Sequence, residues 1–195
     1  LELVETYRYK LVVIETLLHF KRMGNGMVFR ALVSRMNGLG YEVKTKLLFA
    51  PKFGAVAARR RIYLYCTRKG GGCESGQFLF PTGSSQRHPV YSILEPEFFR
   101  RGVRLPRKQL ILREHPLQRT SDCLIQVGEL RGVGSGRAVY DTKGLASAQL
   151  ATGRGPGWTS GIYLIDGTPS RLTVREAART VQMSDLLAVL KAPHH

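Results

Sequence analysis

The order of apolar segments in the first third of the chain is the feature that most constrains its fold. The run KLVVIE, residues 10–15, predicts a short buried strand of a parallel sheet because it is apolar and ends in a carboxylate. Apolar residues then recur at helical spacing across 27–39, and the segments 41–50 and 60–66 predict two further strands. Strand, helix, strand, strand is typical of the end of a doubly wound α/β sheet.

The rest of the chain has a different character. Residues 67–89 form a turn-rich connector, and residues 122–166 contain short β-like runs interrupted by glycines, which predict a small β-rich lobe. Residues 171–191 predict a helix. Thr173 can serve as its N-cap, and Glu176 follows at the capping-box position.

The net charge of +16 constrains the partners of the protein rather than its fold. Nucleic acid is the leading candidate, and an anionic membrane surface is the weaker one because no basic amphipathic helix stands out. An arginine-rich proteome would explain the charge without any partner. No apolar run approaches the roughly 20 residues that a membrane-spanning helix needs, so we expect no membrane span.

The three cysteines, Cys66, Cys73 and Cys123, are odd in number and widely spaced. They predict no disulfide framework and favour a reducing compartment. Cys66 and Cys73, with His88 further on, match zinc spacing poorly, so we expect no metal site. The glycine-rich run 128–157 lacks the signatures of a P-loop and of a dinucleotide site, so its glycines are expected to make tight turns or to approach DNA.

Four stretches, taken in order, resemble the C-terminal part of a DNA cytosine-5 methyltransferase. VVIET at 12–16 is similar to the family's Glu-Asn-Val strand, and FGAVAARRRIYLY at 53–65 to its Gln-x-Arg-x-Arg segment. Residues 124–155 resemble the end of the target-recognition region, and 171–185 resemble the family's arginine-and-glutamate helix. The resemblance implies the distal half of a doubly wound, Rossmann-like methyltransferase sheet plus a small β-rich target-recognition lobe.

The resemblance also implies roles for individual side chains. Glu15 would act as the acid at cytosine N3, Arg61 would reach O2 of the flipped base, and Arg59 would support the nearby phosphate and loop. Because strand side chains alternate between faces, we expect Arg59 and Arg61 to share one face and Arg60 to be solvated on the other. Ala57 stands where the family usually has Gln. By itself, the arginine run favours a solvated basic strand cap.

The recognition segment carries the predicted DNA contacts. By resemblance, Ser135 would face the target site. The candidate phosphate contacts are the basic residues of the same segment: Arg131, Arg137, Lys143 and Arg154. The implied organisation is a partial catalytic α/β domain at 1–67, a target-recognition lobe at 68–168, and a helix at 169–195 that returns to the catalytic domain.

The family's S-adenosylmethionine loop and its Pro-Cys nucleophile lie upstream of the Glu-Asn-Val strand, and we find neither in this sequence. We therefore expect a fragment or split subunit that is inactive alone. The partners would be duplex DNA and a missing N-terminal half or second subunit, and the methyl donor would be S-adenosylmethionine. Such a protein would act in the nucleus of a eukaryote, or otherwise in the cytoplasm or nucleoid. Two alternatives stay open: a non-catalytic DNA-binding module, and a basic protein with an accidental motif match, which could be an RNA binder.

Overall fold

The computed structural model describes the chain in two compact units. The described residues are 1–70, 78–119, 123–131, 137–148 and 161–182. The first unit is Leu1–Phe49 with Arg60–Thr82, and the second is Ala50–Arg59 with Gly83–His195. Each unit is described by itself below.

The first unit contains a three-stranded sheet and helices. Its elements are α1 (Glu2–Tyr7), β1 (Leu11–Leu17), α2 (Leu18–Arg22), a 3₁₀ turn (Met23–Gly26), α3 (Met27–Gly38), β2 (Tyr41–Phe49) and β3 (Arg60–Arg68). The strand order is β1-β3-β2, and both outer strands pair with β3 antiparallel. The predicted helix and the two following strands are therefore confirmed.

The expected burial of β1 is wrong. Within the described residues β1 lies at the edge of its sheet, its partner β3 is antiparallel, and exposed positions alternate with half-buried ones. Val12 and Ile14 pack into the core, whereas Val13 is 57% exposed. The physical reason is the two-residue period of a strand: an apolar run appears buried throughout only when both faces of its sheet are covered.

The covered face of this sheet packs against α3. Residues from the helix and from all three strands meet in one apolar cluster, whose buried members are Phe29, Met36, Tyr41, Ile62, Leu64 and Cys66. Each large apolar side chain buried in this way contributes roughly 1.5–3 kcal/mol. The helical spacing in the sequence and the alternation in β3 thus both contribute to one core. The opposite face carries Glu15, Arg61 and Tyr63 together with the exposed apolar residues Leu11, Val13 and Leu17.

The second unit is built on a five-stranded sheet. Its elements are two 3₁₀ turns (Ala50–Phe53 and Val90–Ile93), α4 (Glu97–Arg100), two more 3₁₀ turns (Arg101–Val103 and Arg107–Gln109), β4 (Leu110–Arg119), β5 (Leu124–Leu130), β6 (Ala138–Asp141), β7 (Ile162–Ile165), β8 (Thr168–Ser170) and α5 (Val174–Thr180). The strands follow chain order, and only the β6–β7 pair is parallel among the described pairs. A β-rich lobe is therefore present.

The beginning of α5 matches its sequence signature. The Thr173 side chain accepts from the Glu176 backbone N–H at 3.1 Å, and the Glu176 carboxylate accepts from the Thr173 backbone N–H at 2.8 Å. The capping box satisfies two backbone donors that a helix N-terminus leaves unpaired. Residues 50–59 belong to this unit because the backbone N–H groups of Val56 and Ala57 both donate to Thr180 O at 3.0 Å.

Candidate active site

Glu15 and Arg61 meet on the face of the first unit's sheet opposite the apolar cluster. In the antiparallel register of β1 and β3, Glu15 lies opposite Tyr63, and Leu17 lies opposite Arg61. Residues that are paired in this way point to the same face, so the carboxylate, the guanidinium and the phenol are neighbours. Two of the residues that the sequence singled out, Glu15 and Arg61, are thus brought together by strand pairing.

The two carboxylate oxygens of Glu15 have different partners. Arg61 Nε lies 3.1 Å from Glu15 Oε1, and the Tyr63 hydroxyl donates to Glu15 Oε2 at 3.0 Å. Arg61 Nη1 also donates to the Arg60 carbonyl at 2.8 Å, which orients the guanidinium. The Glu15 side chain is 39% exposed and that of Arg61 is 19% exposed. The solvated carboxylate of Glu15 and the oriented guanidinium of Arg61, with its several N–H donors, therefore lie next to each other where a ligand can reach them.

Arg59 precedes strand β3. Strand β3 begins at Arg60, and Arg59 belongs to the second unit. The Arg59 backbone N–H donates to Ala57 O at 2.7 Å, a contact between residues two apart that marks a tight turn rather than a strand. The alternation argument needs a strand at position 59 and the assigned strand begins one residue later, so the placement and the role proposed for Arg59 stay predictions.

Arg60 is not a solvated residue. Its guanidinium carbon lies 4.4 Å from the centre of the Phe49 ring, and its side chain is half-buried. Phe49 is the residue opposite Arg60 in the β2–β3 register. A guanidinium at this distance over an aromatic face makes a cation–π contact. The expectation failed because it considered one strand and not its cross-strand neighbour.

Ala57 is buried in the second unit. It is 1% exposed, forms an isolated parallel bridge with Ala146, and donates its backbone N–H to Thr180. Ala at position 57 is thus consistent with the packing of this chain.

Cys66 is excluded as a nucleophile at the Glu15 site. It lies opposite Val12 and Val43, on the core face of β3, which is the face away from Glu15. Burial raises the pKa of the Cys66 thiol to about 11, so it stays neutral at physiological pH. Cys123 lies in the second unit, where Arg87 Nη1 contacts its sulfur, and Cys73 lies outside the described residues.

The predicted DNA-contacting residues fall into two groups. Arg131, Arg137 and Lys143 are exposed, and Arg137 Nε lies 3.6 Å from Glu129 Oε2. Ser135 and Arg154 lie outside the described residues. No group of metal-ligating side chains occurs in the part of the chain that the structure describes. Exposure leaves the three basic residues available for phosphate contacts, and their role stays a prediction.

Sequence reasoning missed Tyr63. The available signal was the alternation in RRIYLYC, which places Tyr63 on the same face as Arg61, two residues earlier. An aromatic residue in an apolar run is usually core, so the run by itself predicts a buried ring at position 63. The contact with Glu15 becomes visible only in the β1–β3 register, which joins residues 48 positions apart.

Comparison with known proteins decides the family. A family model described as C-5 cytosine-specific DNA methylase matches residues 1–182. The chain belongs to this family. The reading of an accidental motif match is therefore wrong. Type II methyltransferase M.HhaI of Haemophilus parahaemolyticus is 28% identical over 183 residues, which are 94% of this chain and 55% of the relative.

Two proteins of solved structure are similar to this methylase-family chain. The methyltransferase EhMeth of Entamoeba histolytica has a TM-score of 0.54 at 12% identity, over 88% of this chain and 50% of that one. The S. pombe Dnmt2 methyltransferase has a TM-score of 0.48 at 13% identity, over 88% and 54%. The first likeness confirms the predicted α/β methyltransferase fold class. The chain spans about half the length of the relatives it matches. Among the described residues no helix is long and apolar enough to cross a membrane.

Proposed function

We propose that this chain carries the cytosine-binding acid and arginine of a DNA cytosine-5 methyltransferase. The observation that carries the proposal is the 3.1 Å contact between Arg61 Nε and Glu15 Oε1, where the Glu15 side chain is 39% exposed. A carboxyl group beside a fork of N–H donors suits a cytosine ring, whose N3 and O2 are neighbouring acceptors. Family membership supports C5 of that ring as the atom that is methylated.

Glu15 and Arg61 would act on a base that has been turned out of the duplex. Cytosine C5 is a poor nucleophile until a thiolate adds to C6, and that addition places negative charge on the ring. Glu15 protonates or hydrogen-bonds N3 as this charge develops, and Arg61 donates to O2. To do so, Glu15 exchanges part of its contact with Arg61 for the base, which the exposure of its carboxylate permits.

The thiol and the methyl donor would be held outside residues 1–195, in a missing N-terminal half or a partner subunit. S-adenosylmethionine supplies the methyl group when bound. The described residues do not fit it: β1 runs directly into α2 at Leu17–Leu18, and in the described residues no glycine-rich turn leads from a strand into a helix. No residue here is assigned to the donor.

Duplex DNA is the proposed partner of the basic surface. The net charge of +16 and the exposed residues Arg131, Arg137 and Lys143 support phosphate contacts. The logarithm of the affinity should fall linearly with the logarithm of the salt concentration, with a slope of about −0.9 for each phosphate neutralised. A flat salt response would remove the electrostatic support for DNA as the partner.

The test is methyl transfer to duplex DNA by the complete protein, meaning this chain together with the sequence that supplies the thiol. Labelled methyl should appear at C5 of cytosine when the product nucleosides are separated by mass spectrometry. The matched control is the same duplex with 5-methylcytosine in place of cytosine, which should take up no label. Label on both duplexes, or label away from C5, would contradict the proposed reaction.

The alternative is a non-catalytic DNA-binding module that keeps the scaffold without the chemistry. Thr16 and Leu17 stand where the family has Asn and Val, and the buried Ala57 stands where it has Gln, which favours this reading. The same experiment separates the two. Salt-sensitive binding of duplex DNA by the complete protein, with no transfer to either duplex, would support the module and contradict the enzyme.

A further inference from the structure

We infer that Tyr63 is a positioning residue that holds the Glu15 carboxyl in the orientation from which it reaches a base. The inference rests on the proposed function and adds a residue to it. Tyr63 lies directly opposite Glu15 in the β1–β3 register, and its hydroxyl donates to Glu15 Oε2 at 3.0 Å. Directly opposed residues on a sheet are its closest side-chain neighbours, so the contact needs no unusual backbone.

Two contacts on different oxygens restrict the carboxyl more than either contact alone. The terminal torsion of a glutamate is broad and roughly two-fold, so one partner leaves the plane of the carboxyl poorly defined. Arg61 Nε contacts Oε1 at 3.1 Å and the Tyr63 hydroxyl contacts Oε2 at 3.0 Å, from two positions on β3. Together they set the rotation of the carboxyl plane about the side chain of Glu15.

The two partners supply different things. Arg61 brings a permanent positive charge, whereas the Tyr63 phenol is neutral and both donates and accepts. When a base takes over part of the Arg61 contact, the Tyr63 hydroxyl can stay on Oε2 and keep the carboxyl plane. Lys46 lies opposite Tyr63 on β2, so the phenol lies between Glu15 on one neighbouring strand and a lysine on the other. Tyr63 thereby orients Glu15 without adding charge.

Tyr65 provides a matched control for this role. It is the next residue along the same face of β3, and it is also half-buried. Its ring stacks on Phe78, with ring centres 3.5 Å apart and planes 7° from parallel. Replacing either tyrosine by phenylalanine removes one hydroxyl and keeps the ring, but only the change at position 63 removes a donor to Glu15.

The experiment compares four variants of the complete methyltransferase: Tyr63→Phe, Tyr65→Phe, Glu15→Gln, and the double variant of positions 15 and 63. Single-turnover methyl transfer, the apparent KM for duplex DNA and the thermal midpoint are measured for each. Tyr63→Phe should slow transfer about 10-fold, the scale of a hydrogen bond to a charged group, with KM changed less than about 2-fold. Tyr65→Phe should stay within about 2-fold of the unsubstituted enzyme.

The double variant separates positioning from a structural role. If Tyr63 acts through Glu15, adding Tyr63→Phe to Glu15→Gln should slow transfer by less than about 2-fold further. A full additional 10-fold loss, or a thermal midpoint lowered by Tyr63→Phe and not by Tyr65→Phe, would assign Tyr63 to packing and overturn the inference. Equal rates for the two phenylalanine variants would also overturn it. A Glu15→Gln rate equal to that of the unsubstituted enzyme would overturn the proposed function itself.

Discussion

Two carboxylate–guanidinium pairs, one in each unit, are built in opposite ways. Arg61 and Glu15 are 3.1 Å apart, with side chains that are 19% and 39% exposed. Arg100 and Glu176 are 3.0 Å apart, with side chains that are 6% and 0% exposed. The two distances are nearly the same, so the difference between the pairs is their access to water.

Solvent access separates a structural ion pair from one that a ligand can open. Arg100 is one of several partners of Glu176. The Glu176 carboxylate also accepts from the backbone N–H groups of Glu95 at 2.7 Å and Thr173 at 2.8 Å. Breaking such a desolvated group leaves a buried charge uncompensated. Glu15 is solvated, so its pairing costs little to exchange. A carboxylate–guanidinium pair therefore joins two chain segments in the second unit. In the first unit, we propose, the same kind of pair binds a cytosine base.

The largest expected effect is on the buried pair. Glu176→Gln should lower the free energy of unfolding of the second unit by about 3–5 kcal/mol, because Arg100 then remains buried without a counter-charge. Urea denaturation of the complete protein, monitored by a spectroscopic probe placed in the second unit, measures this value. The matched control is Glu97→Gln, which breaks the exposed pair with Arg104 and should cost less than about 1 kcal/mol. Equal losses for the two variants would break the comparison.

The next effect tests the contrast across the two faces of β3. Burial raises the pKa of Cys66 from 9.0 to about 11, so the folded state keeps this thiol protonated when the unfolded chain has lost its proton. The contribution of the neutral Cys66 thiol to the free energy of unfolding is fully present below pH 9, and it is lost as the pH rises toward about 11. The unfolding free energy should fall by up to about 1.4 kcal/mol per pH unit more steeply in this window than it does for Cys66→Ala. Parallel pH dependences would show that Cys66 is not buried as described.

The smallest effect concerns Arg60, the neighbour of the site arginine. Arg60→Gln should cost about 0.5–1 kcal/mol of stability through the lost contact with the Phe49 ring, and it should leave methyl transfer within about 2-fold. Denaturation and single-turnover rates measure the two quantities. A loss of transfer far larger than the loss of stability would give Arg60 a place in the site and blur the distinction between it and Arg61.

The parts of this molecule that the sequence predicted are those with local causes. Helix α3 follows from apolar spacing, and the beginning of α5 follows from a capping box only four residues long. Glu15 and Arg61 were singled out by their places in family-like segments. Their contact through strand pairing agrees with that choice.

The parts that the sequence did not predict depend on partners far along the chain. The exposure of β1 depends on which faces of its sheet are covered, and the cation–π contact of Arg60 depends on the β2–β3 register. The pair between Arg100 and Glu176 joins segments 76 positions apart, and no local pattern marks either residue as buried. Glu176 was correctly expected to cap its helix. Its buried pair with Arg100 becomes visible only in the folded unit.

The most direct test of the account is the rate of methyl transfer by Glu15→Gln, compared with Glu42→Gln, in the complete protein. Glu42 is exposed, lies in the same sheet and gives the same change in charge. Glu15→Gln should slow single-turnover transfer by about 10²-fold or more, the usual contribution of an acid–base group, with the thermal midpoint unchanged. Glu42→Gln should stay within about 2-fold. A Glu15→Gln rate within about 10-fold of the unsubstituted enzyme would contradict the claim that this exposed carboxylate acts on cytosine.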